Sequence, residues 1–181
     1  YTGRAPLEAA SMGIDLRPDQ VAIRCNLVTI DGDVMADHSA GHISTEEAHA
    51  LVAMLQEALG SDTVHFHPGV GYRHLVVWDD PTVAEAVCTP PHDILDQPWR
   101  KHLPRGRAGR PLVDLIERSG PILQATDINE VRIDLGENPA NLIWLWGGGT
   151  RPEFEPFVQR FGPAGAVVAA VDLVQGIGRS L

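Results

Sequence analysis

The sequence is poor in lysine and lacks long apolar runs. Only Lys101 is a lysine among 14 basic residues, which face 24 acidic residues and leave a formal net charge of −10. This balance argues against a general nucleic-acid surface and against an anionic-membrane surface. No window approaches the roughly 18 uninterrupted apolar residues of a membrane helix, and no charged-then-apolar leader opens the chain. We therefore expect a soluble, cytoplasmic protein whose partners are small molecules or proteins.

Cysteine is also scarce. Cys25 and Cys88 form no CxxC pair, so neither a disulfide framework nor a structural zinc knuckle is indicated, and we predict two buried free thiols. A length of 181 residues with 44% hydrophobic residues is typical of one globular domain. Because the chain opens at Tyr1 without a methionine, we expect a piece of a longer protein.

Hydrophobic periodicity predicts alternating short strands and helices. The predicted strands are 19–30, 34–37, 63–68, 72–78, 142–146 and 164–171. The predicted helices are 45–59, 111–124, 127–136, 153–161 and 172–180. Ser44 and Glu47 make a capping box at the start of the first helix, and Gly120-Pro121 is expected to bend the second. The fold class is α/β or α+β: a single domain with a mixed, partly antiparallel sheet packed by helices.

The segment 79–111 separates the two halves of this pattern. It contains six prolines and much of the local basic charge. Loops of this length in compact domains are usually functional or disordered, and we predict an ordered loop.

Two motifs admit both a functional and a structural interpretation. His65 and His67 share one strand face, which suits a zinc site, but no further ligand set accompanies them, so hydrogen bonding within a polar sheet face is favoured and no metal site is predicted. The run LIWLWGGGT leads a strand into three glycines, which either present N–H groups to a phosphate or allow close backbone packing. A GxSxG elbow is absent, which argues against a self-contained hydrolase.

Arginines and histidines at strand ends and turns are the strongest chemical signal. Arg24 lies in an apolar strand, where burial is costly unless an anion or a carboxylate lies opposite. A structural ion pair and a ligand-binding role both remain open. The candidate substrate-binding residues are Arg4, Arg24, His42, Arg73, His74 and His92.

Several segments carry a resemblance to a known family. They are YTGRAPLEAASMGIDL, IRCNLVTIDGDVMADHSAGHISTEEA, FHPGVGYRHLVVW, TPPHDI, NPANLIWLWGGG and GAVVAAVDLVQGIG. Together they resemble, nearly end to end, the archaeal-type 2,3-bisphosphoglycerate-independent phosphoglycerate mutases of the alkaline phosphatase superfamily. The similar part of those enzymes is inserted within their catalytic core.

The resemblance implies that residues 1–181 are a substrate-covering domain, inactive alone, of a glycolytic isomerase that interconverts 3-phosphoglycerate and 2-phosphoglycerate. In that family a Ser or Thr nucleophile lies between two divalent metals, with manganese, zinc or magnesium as candidates. The segments that supply those groups are not recognised here, so no catalytic or metal-ligating residue is predicted. The implied partners are a phosphorylated small molecule and the catalytic core of the same protein.

Two alternatives stay open. Relatives with the SAGHIST and PPHDI forms include a bacterial branch proposed to act as a homoserine kinase, and the position of His42 is Arg in some members of the family. A histidine there would hold an anion less firmly near neutral pH, which suits a substrate with fewer negative charges. The other alternative is a structural or interaction module in which the arginines pair with internal carboxylates.

Overall fold

A computed structural model describes residues 3–181, which form a five-stranded sheet with helices on both faces. The strands are β1 Val21–Asp31, β2 Val34–Asp37, β3 Val64–His67, β4 Arg73–Trp78 and β5 Leu142–Thr150. The helices are α1 Ala5–Ser11, α2 Thr45–Leu59, α3 Gly109–Gln124, α4 Asp127–Asp134, α5 Phe157–Phe161 and α6 Asp172–Ser180. None of these helices is long and apolar enough to cross a membrane.

Strand β1 is the centre of the sheet. It pairs with β4 on one edge and with β5 on the other, while β3 extends the sheet beyond β4 and β2 pairs with the end of β1. All of these pairings are antiparallel. The predicted class, a sheet packed by helices in a single domain, is therefore confirmed. Because β1 is hydrogen-bonded on both edges, its side chains hold fixed positions on two opposite faces.

The two faces of β1 bury different partners. Val21, Ile23 and Cys25 belong to a large apolar cluster that includes the buried residues of α2. On the opposite face, Ala22 joins a smaller cluster in which α1 packs through Ala5, Ala9 and the nearby Leu16. Alternation along the strand explains this division, since neighbouring residues point to opposite sides. The second face is the one that carries the arginines described below.

Local sequence signals account for the best-predicted elements. The Ser44 side chain accepts a hydrogen bond from the Glu47 backbone, the Glu47 carboxylate accepts one from the Ser44 backbone, and helix α2 begins and ends as predicted. The predicted strands 19–30 and 34–37 are confirmed as the antiparallel pair β1 and β2, and the predicted strands 63–68 and 72–78 as the pair β3 and β4, with limits that agree within one to two residues. Cys25 is a buried free thiol, as predicted, whereas Cys88 is free but half-buried. Burial raises the pKa of both thiols, that of Cys88 to about 11.

Several elements differ from the prediction. Helix α1 was not predicted, and β5 continues beyond residue 146 to Thr150. The run 164–171 is exposed and forms neither strand nor helix, so the predicted strand is wrong: the run pairs with no other strand of the described residues. The helix predicted at 153–161 is confined to α5, and α3 continues through Pro121. The segment 79–111 is ordered, as predicted, and contains three short 3₁₀ helices at Pro81–Glu85, Pro91–Asp93 and Trp99–His102.

Helices α1 and α6 pack directly against each other. Gly176 in α6 lies so close to the backbone of Leu7 in α1 that a β-carbon at this position would collide with the Leu7 carbonyl group. The Arg179 guanidinium of α6 donates a hydrogen bond to the Ala10 carbonyl oxygen at 3.2 Å. The earliest and the latest described helices are therefore neighbours in space.

Candidate anion-binding site

Three arginines meet on the face of the sheet that α1 partly covers. Arg24 lies on β1, where only 6% of it is exposed. Arg73 lies on β4 opposite Asn26, which makes it a diagonal neighbour of Arg24 on the same face. Arg4 lies at the N-terminus of α1, in the N-cap position. We call Arg4, Arg24 and Arg73 the arginine cluster.

One carboxylate joins two members of this cluster. Glu8, one turn into α1 and 7% exposed, accepts from Arg4 Nε at 2.7 Å through Oε1 and pairs with Arg24 Nε at 2.8 Å through Oε2. Arg73 has no carboxylate within ion-pair distance among residues 3–181. The cluster therefore holds three cations against one anion.

The environment of Arg24 reflects this imbalance. Burial lowers the pKa of Arg24, the charge of Glu8 raises it, and the nearby charges of Arg4 and Arg73 lower it again. An arginine remains protonated despite such shifts, because its unperturbed pKa lies above 12. A small anion would relieve the repulsion between the guanidinium groups, and guanidinium groups bind carboxylate or phosphate oxygens through paired N–H donors.

A β-bulge in β5 makes room for these side chains. Ala22 pairs with Gly149, yet Arg24 pairs with Trp146, so Gly147 and Gly148 together oppose the single residue between them. Gly147 has φ of +62°, and a β-carbon there would lie 3.6 Å from Arg24 Cδ. Position 147 therefore favours glycine because of its left-handed backbone conformation within the bulge.

Trp146 begins a row of rings beside the cluster. The Arg24 guanidinium lies 4.2 Å from the centre of the Trp146 ring, a cation–π contact. From Trp146 the ring centres follow at 5.4 Å to His92, 6.1 Å to His38 and 5.9 Å to Tyr72. We call Trp146, His92, His38 and Tyr72 the aromatic wall.

The aromatic wall contacts the arginine cluster at both ends, through Trp146 at one end and through Tyr72 at the other. The Arg73 guanidinium lies 5.9 Å from the Tyr72 ring. Asn26, which is 2% exposed, connects two members of the aromatic wall. Its Oδ1 accepts a hydrogen bond from Trp146 Nε1 at 3.2 Å, and its Nδ2 donates one to the His38 carbonyl oxygen at 3.4 Å. Cations and rings thus surround one buried amide.

The turn 37–42 brings His38 to this site. The Asp37 carboxylate accepts from Ser39 N and Oγ, both at 2.7 Å, and from Gly41 N at 2.8 Å. Burial would raise the pKa of Asp37, but these hydrogen bonds and one from the Asn138 side chain outweigh it and lower the pKa to about 2. Ala40, Gly41 and His42 follow with positive φ, so Asp37 holds a turn that the backbone alone disfavours.

A buried arginine outside the arginine cluster, Arg132, also stabilises the turn 37–42. Arg132, 3% exposed, donates to the Ala40 carbonyl oxygen at 2.9 Å and pairs with Glu47 at 3.1 Å and with Glu137 at 3.0 Å. Arg132 is thus a structural arginine, paired with internal carboxylates, and contrasts with Arg73.

The structure brings together four of the six predicted site residues. Arg4, Arg24 and Arg73 form the cluster, and His92 lies in the aromatic wall. His74 pairs with Cys25 across the strands and therefore lies on the opposite face of the sheet. His42 is exposed in its turn, and the hydrogen bonds and ring contacts of residues 3–181 do not join it to the cluster.

Sequence reasoning missed Glu8, Asn26, His38 and Trp146. The spacing of Arg4 and Glu8 at i and i+4 was the available signal for Glu8, once α1 is recognised as a helix. For Asn26 the signal was its place two residues after Arg24, since such residues share a strand face. His38 and Trp146 reach the site through a turn and a bulge, which pattern periodicity does not reveal.

The described side chains do not fit a metal centre. Among residues 3–181 no group of three or more His, Cys, Asp or Glu side chains is placed to hold a metal ion. His65 Nε2 lies 3.3 Å from the Asp62 carbonyl oxygen, in keeping with hydrogen bonding within the sheet edge. We therefore derive no step through a metal bound to this part of the chain.

The fold and the cation-rich site agree with one enzyme family. A sequence model described as "2,3-bisphosphoglycerate-independent phosphoglycerate mutase" matches residues 1–129, and the chain belongs to this family. The mutase of that name from Methanosarcina barkeri is 51% identical over 178 residues, which are 98% of this chain and 45% of the relative. A second mutase of this type, from Methanothermobacter thermautotrophicus, is 42% identical over 179 residues, or 44% of its length.

A solved structure supports the same assignment. The cofactor-independent phosphoglycerate mutase from Thermoplasma acidophilum matches with a TM-score of 0.67 and 25% identity, over 99% of this chain and 50% of that one. The chain thus spans about half the length of the relatives it matches. It therefore corresponds to a part of the proteins of this family.

Proposed function

We propose that this chain is the substrate-covering domain of a longer phosphoglycerate mutase that interconverts 3-phosphoglycerate and 2-phosphoglycerate. The arginine cluster is the observation that carries the proposal, because three guanidinium groups share one sheet face with the single carboxylate of Glu8. Guanidinium groups grip phosphate and carboxylate oxygens in two places, and both groups occur in phosphoglycerate. In this proposal Arg4, Arg24, Arg73 and His92 bind the substrate.

The packing of α1 on α6 supports an inserted domain. An inserted domain leaves and re-enters its host at neighbouring points, and the earliest and latest described helices are neighbours here. The relatives are about twice as long as the match, which leaves room for a second domain. The nucleophile and the divalent metals, whether manganese, zinc or magnesium, would then belong to that second domain.

The positions of His74 and His42 support different roles for these two residues within the proposal. His74 faces the α2 side, so we assign it a structural role. His42 would contact substrate only if the other domain brings the substrate to the exposed turn. Electrostatic groups around a transferring phosphoryl group stabilise its developing charge, and a closing domain also excludes water.

The decisive experiment is a mutase assay on the longer protein that carries this chain, with added manganese, run beside a homoserine phosphorylation assay. Arg24→Ala and Arg73→Ala should each lower mutase activity by about 100-fold or more, because each removes a donor to the substrate anion. Arg118→Ala is the matched control, since Arg118 is exposed and, within residues 3–181, its one ion pair is with Asp114 on its own helix.

Two outcomes would overturn the proposal. Turnover of homoserine without mutase activity would assign the protein to the alternative branch. Mutase activity that is indifferent to both cluster substitutions would make the arginines structural and the domain an interaction module.

A further inference from the structure

We propose that Glu8 is the positioning residue of the arginine cluster: its carboxylate fixes the Nε edges of Arg4 and Arg24 and thereby turns their Nη edges toward a bound anion. The inference rests on the proposed function, because it assumes that the cluster binds the anionic groups of a substrate. The proposal explains why a carboxylate lies within a site for anions, where its negative charge would otherwise repel the ligand.

The bonding pattern of Glu8 is the first observation. Each of its two oxygens contacts a different arginine, and each contact is to Nε, at 2.7 Å and 2.8 Å. A guanidinium is planar and carries five N–H donors, four of them on its Nη atoms. Fixing Nε therefore fixes the directions of the other four donors.

The Nη atoms of Arg4 and Arg24 are the second observation. Within residues 3–181 they have no hydrogen-bond partner, yet they are not among the side-chain atoms that are both buried and unpartnered. The Arg4 side chain is 36% exposed, whereas the Arg24 side chain is 7% exposed. Glu8 accepts a hydrogen bond from Arg4 Nε and forms an ion pair with Arg24 Nε, and it contacts the Nε edge of each guanidinium rather than its Nη edge.

The packing of α1 is the third observation. Glu8 is almost fully buried, and its neighbours Ala5 and Ala9 pack without exposed area against the sheet. On the other side, Trp146 stacks on the Arg24 guanidinium at 4.2 Å. Arg24 is thus held between a carboxylate on a fixed helix and a ring on a fixed strand, which suits a preorganised donor.

Charge and geometry make opposite predictions for Glu8, and this makes the proposal testable. If Glu8 acts only as a counter-ion, any carboxylate nearby serves equally well, and its removal strengthens anion binding. If Glu8 positions the arginines, a shorter carboxylate fails, because it cannot reach both Nε atoms. Glu8→Asp keeps the charge and loses the reach, whereas Glu8→Gln keeps the shape and loses the charge.

The experiment is a titration of the 181-residue chain with inorganic phosphate, followed by ¹⁵N NMR of the Arg24 Nε–H and the Trp146 indole N–H. Glu8→Asp should weaken phosphate binding about tenfold, the loss expected for displaced charge-assisted hydrogen bonds. Glu8→Gln should also weaken binding, because its amide N–H₂ must face one of the two guanidinium groups. Glu57→Asp, on the exposed side of α2, is the matched control and should leave the affinity unchanged.

Each contrary result has a distinct meaning. Unchanged phosphate affinity in Glu8→Asp, or tighter binding in Glu8→Gln, would overturn the positioning role while leaving the anion site intact. No response of Arg24 and Trp146 to phosphate in the unmodified chain would overturn the proposed function and this inference together. Circular dichroism identifies a temperature at which every variant compared is folded, so that a loss of stability is not mistaken for a loss of affinity.

Discussion

At the scale of single residues, His74 is a buried base with one satisfied ring nitrogen. Its Nδ1 accepts from Gly69 N at 3.0 Å, while its Nε2 is buried without a partner among the described residues. Burial, with a smaller contribution from His49, lowers the pKa of His74 to about 3. The folded protein therefore excludes a proton that the unfolded chain binds below about pH 6.5.

This exclusion predicts a loss of stability in mild acid. Since the unfolded state binds more protons between about pH 6.5 and pH 3, the free energy of unfolding should fall by up to about 1.4 kcal/mol for each pH unit below 6. His74→Asn, which does not titrate, should remove most of this slope in urea titrations between pH 4.5 and 7, where Asp37 stays ionised. The smaller slope that remains is expected from His67, whose pKa is also lowered by burial. His102→Asn serves as the half-buried control. An equal slope in His74→Asn would show that another group carries the effect.

Residue types in the sequence predicted part of the candidate site. An arginine inside an apolar strand requires an anionic neighbour, which pointed to Arg24 and is met by Glu8. The partner itself was hidden, because a buried ion pair between a helix and a strand leaves no local pattern. The separation of His74 from Arg73 was not visible in the sequence, because adjacent residues on β4 face opposite sides and only the register shows which of the two shares a face with Arg24.

At the scale of secondary-structure elements, the contact between α1 and α6 depends on one glycine. Alanine normally stabilises a helix relative to glycine by about 1 kcal/mol. Gly176 is an exception, because a β-carbon would collide with the Leu7 carbonyl group. The helix propensity and the packing therefore oppose each other at this position.

Gly176→Ala should destabilise the protein by about 2 kcal/mol or more, because the two helices must separate to admit the methyl group. Gly120→Ala in α3 is the matched control: its new β-carbon would lie 3.4 Å from a Leu142 methyl group and 3.9 Å from the Asn141 carbonyl oxygen and Gln124 Nε2, which are ordinary van der Waals distances, and the stability of this variant should stay level or rise. Thermal unfolding measures both. Equal stability of the two variants would mean that α1 and α6 do not pack as described.

Elements with strong local signals were predictable, and elements defined by their surroundings were not. Helix α2 has both a capping box and an amphipathic pattern, so local physics decides its limits. The run 164–171 has the composition of a buried strand, but a strand needs a neighbour to bond with, and composition does not supply one.

At the scale of the whole molecule, order is unevenly distributed. Strand β1 is hydrogen-bonded on both edges and buried on both faces. In 163–171, by contrast, no backbone N–H has a hydrogen-bond partner within the described residues, and Val168 is fully exposed. Local opening should therefore cost little there and nearly the full unfolding free energy at β1.

Amide hydrogen exchange measures this difference. We expect the amides of 163–171 to exchange on the order of 1,000-fold or more faster than those of 21–28, because only the latter require global unfolding. Residues 45–59, in the regular helix α2, provide an internal reference of intermediate to high protection. Slow exchange in 163–171 would mean that this run is covered by a contact absent from the fold described above.

The bulge in β5 reverses the parity of that strand. Before Gly147 the even-numbered Trp146 shares a face with Arg24, whereas beyond Gly148 the odd-numbered Gly149 shares that face with Ala22. The number of glycines in the triplet, as much as their small size, thus decides which side chain stands over the buried guanidinium. Inserting one residue between Trp146 and Gly149 would shift the pairing register of β5 by one position. The Trp146 indole would then point to the opposite face of the sheet, although the composition is almost unchanged.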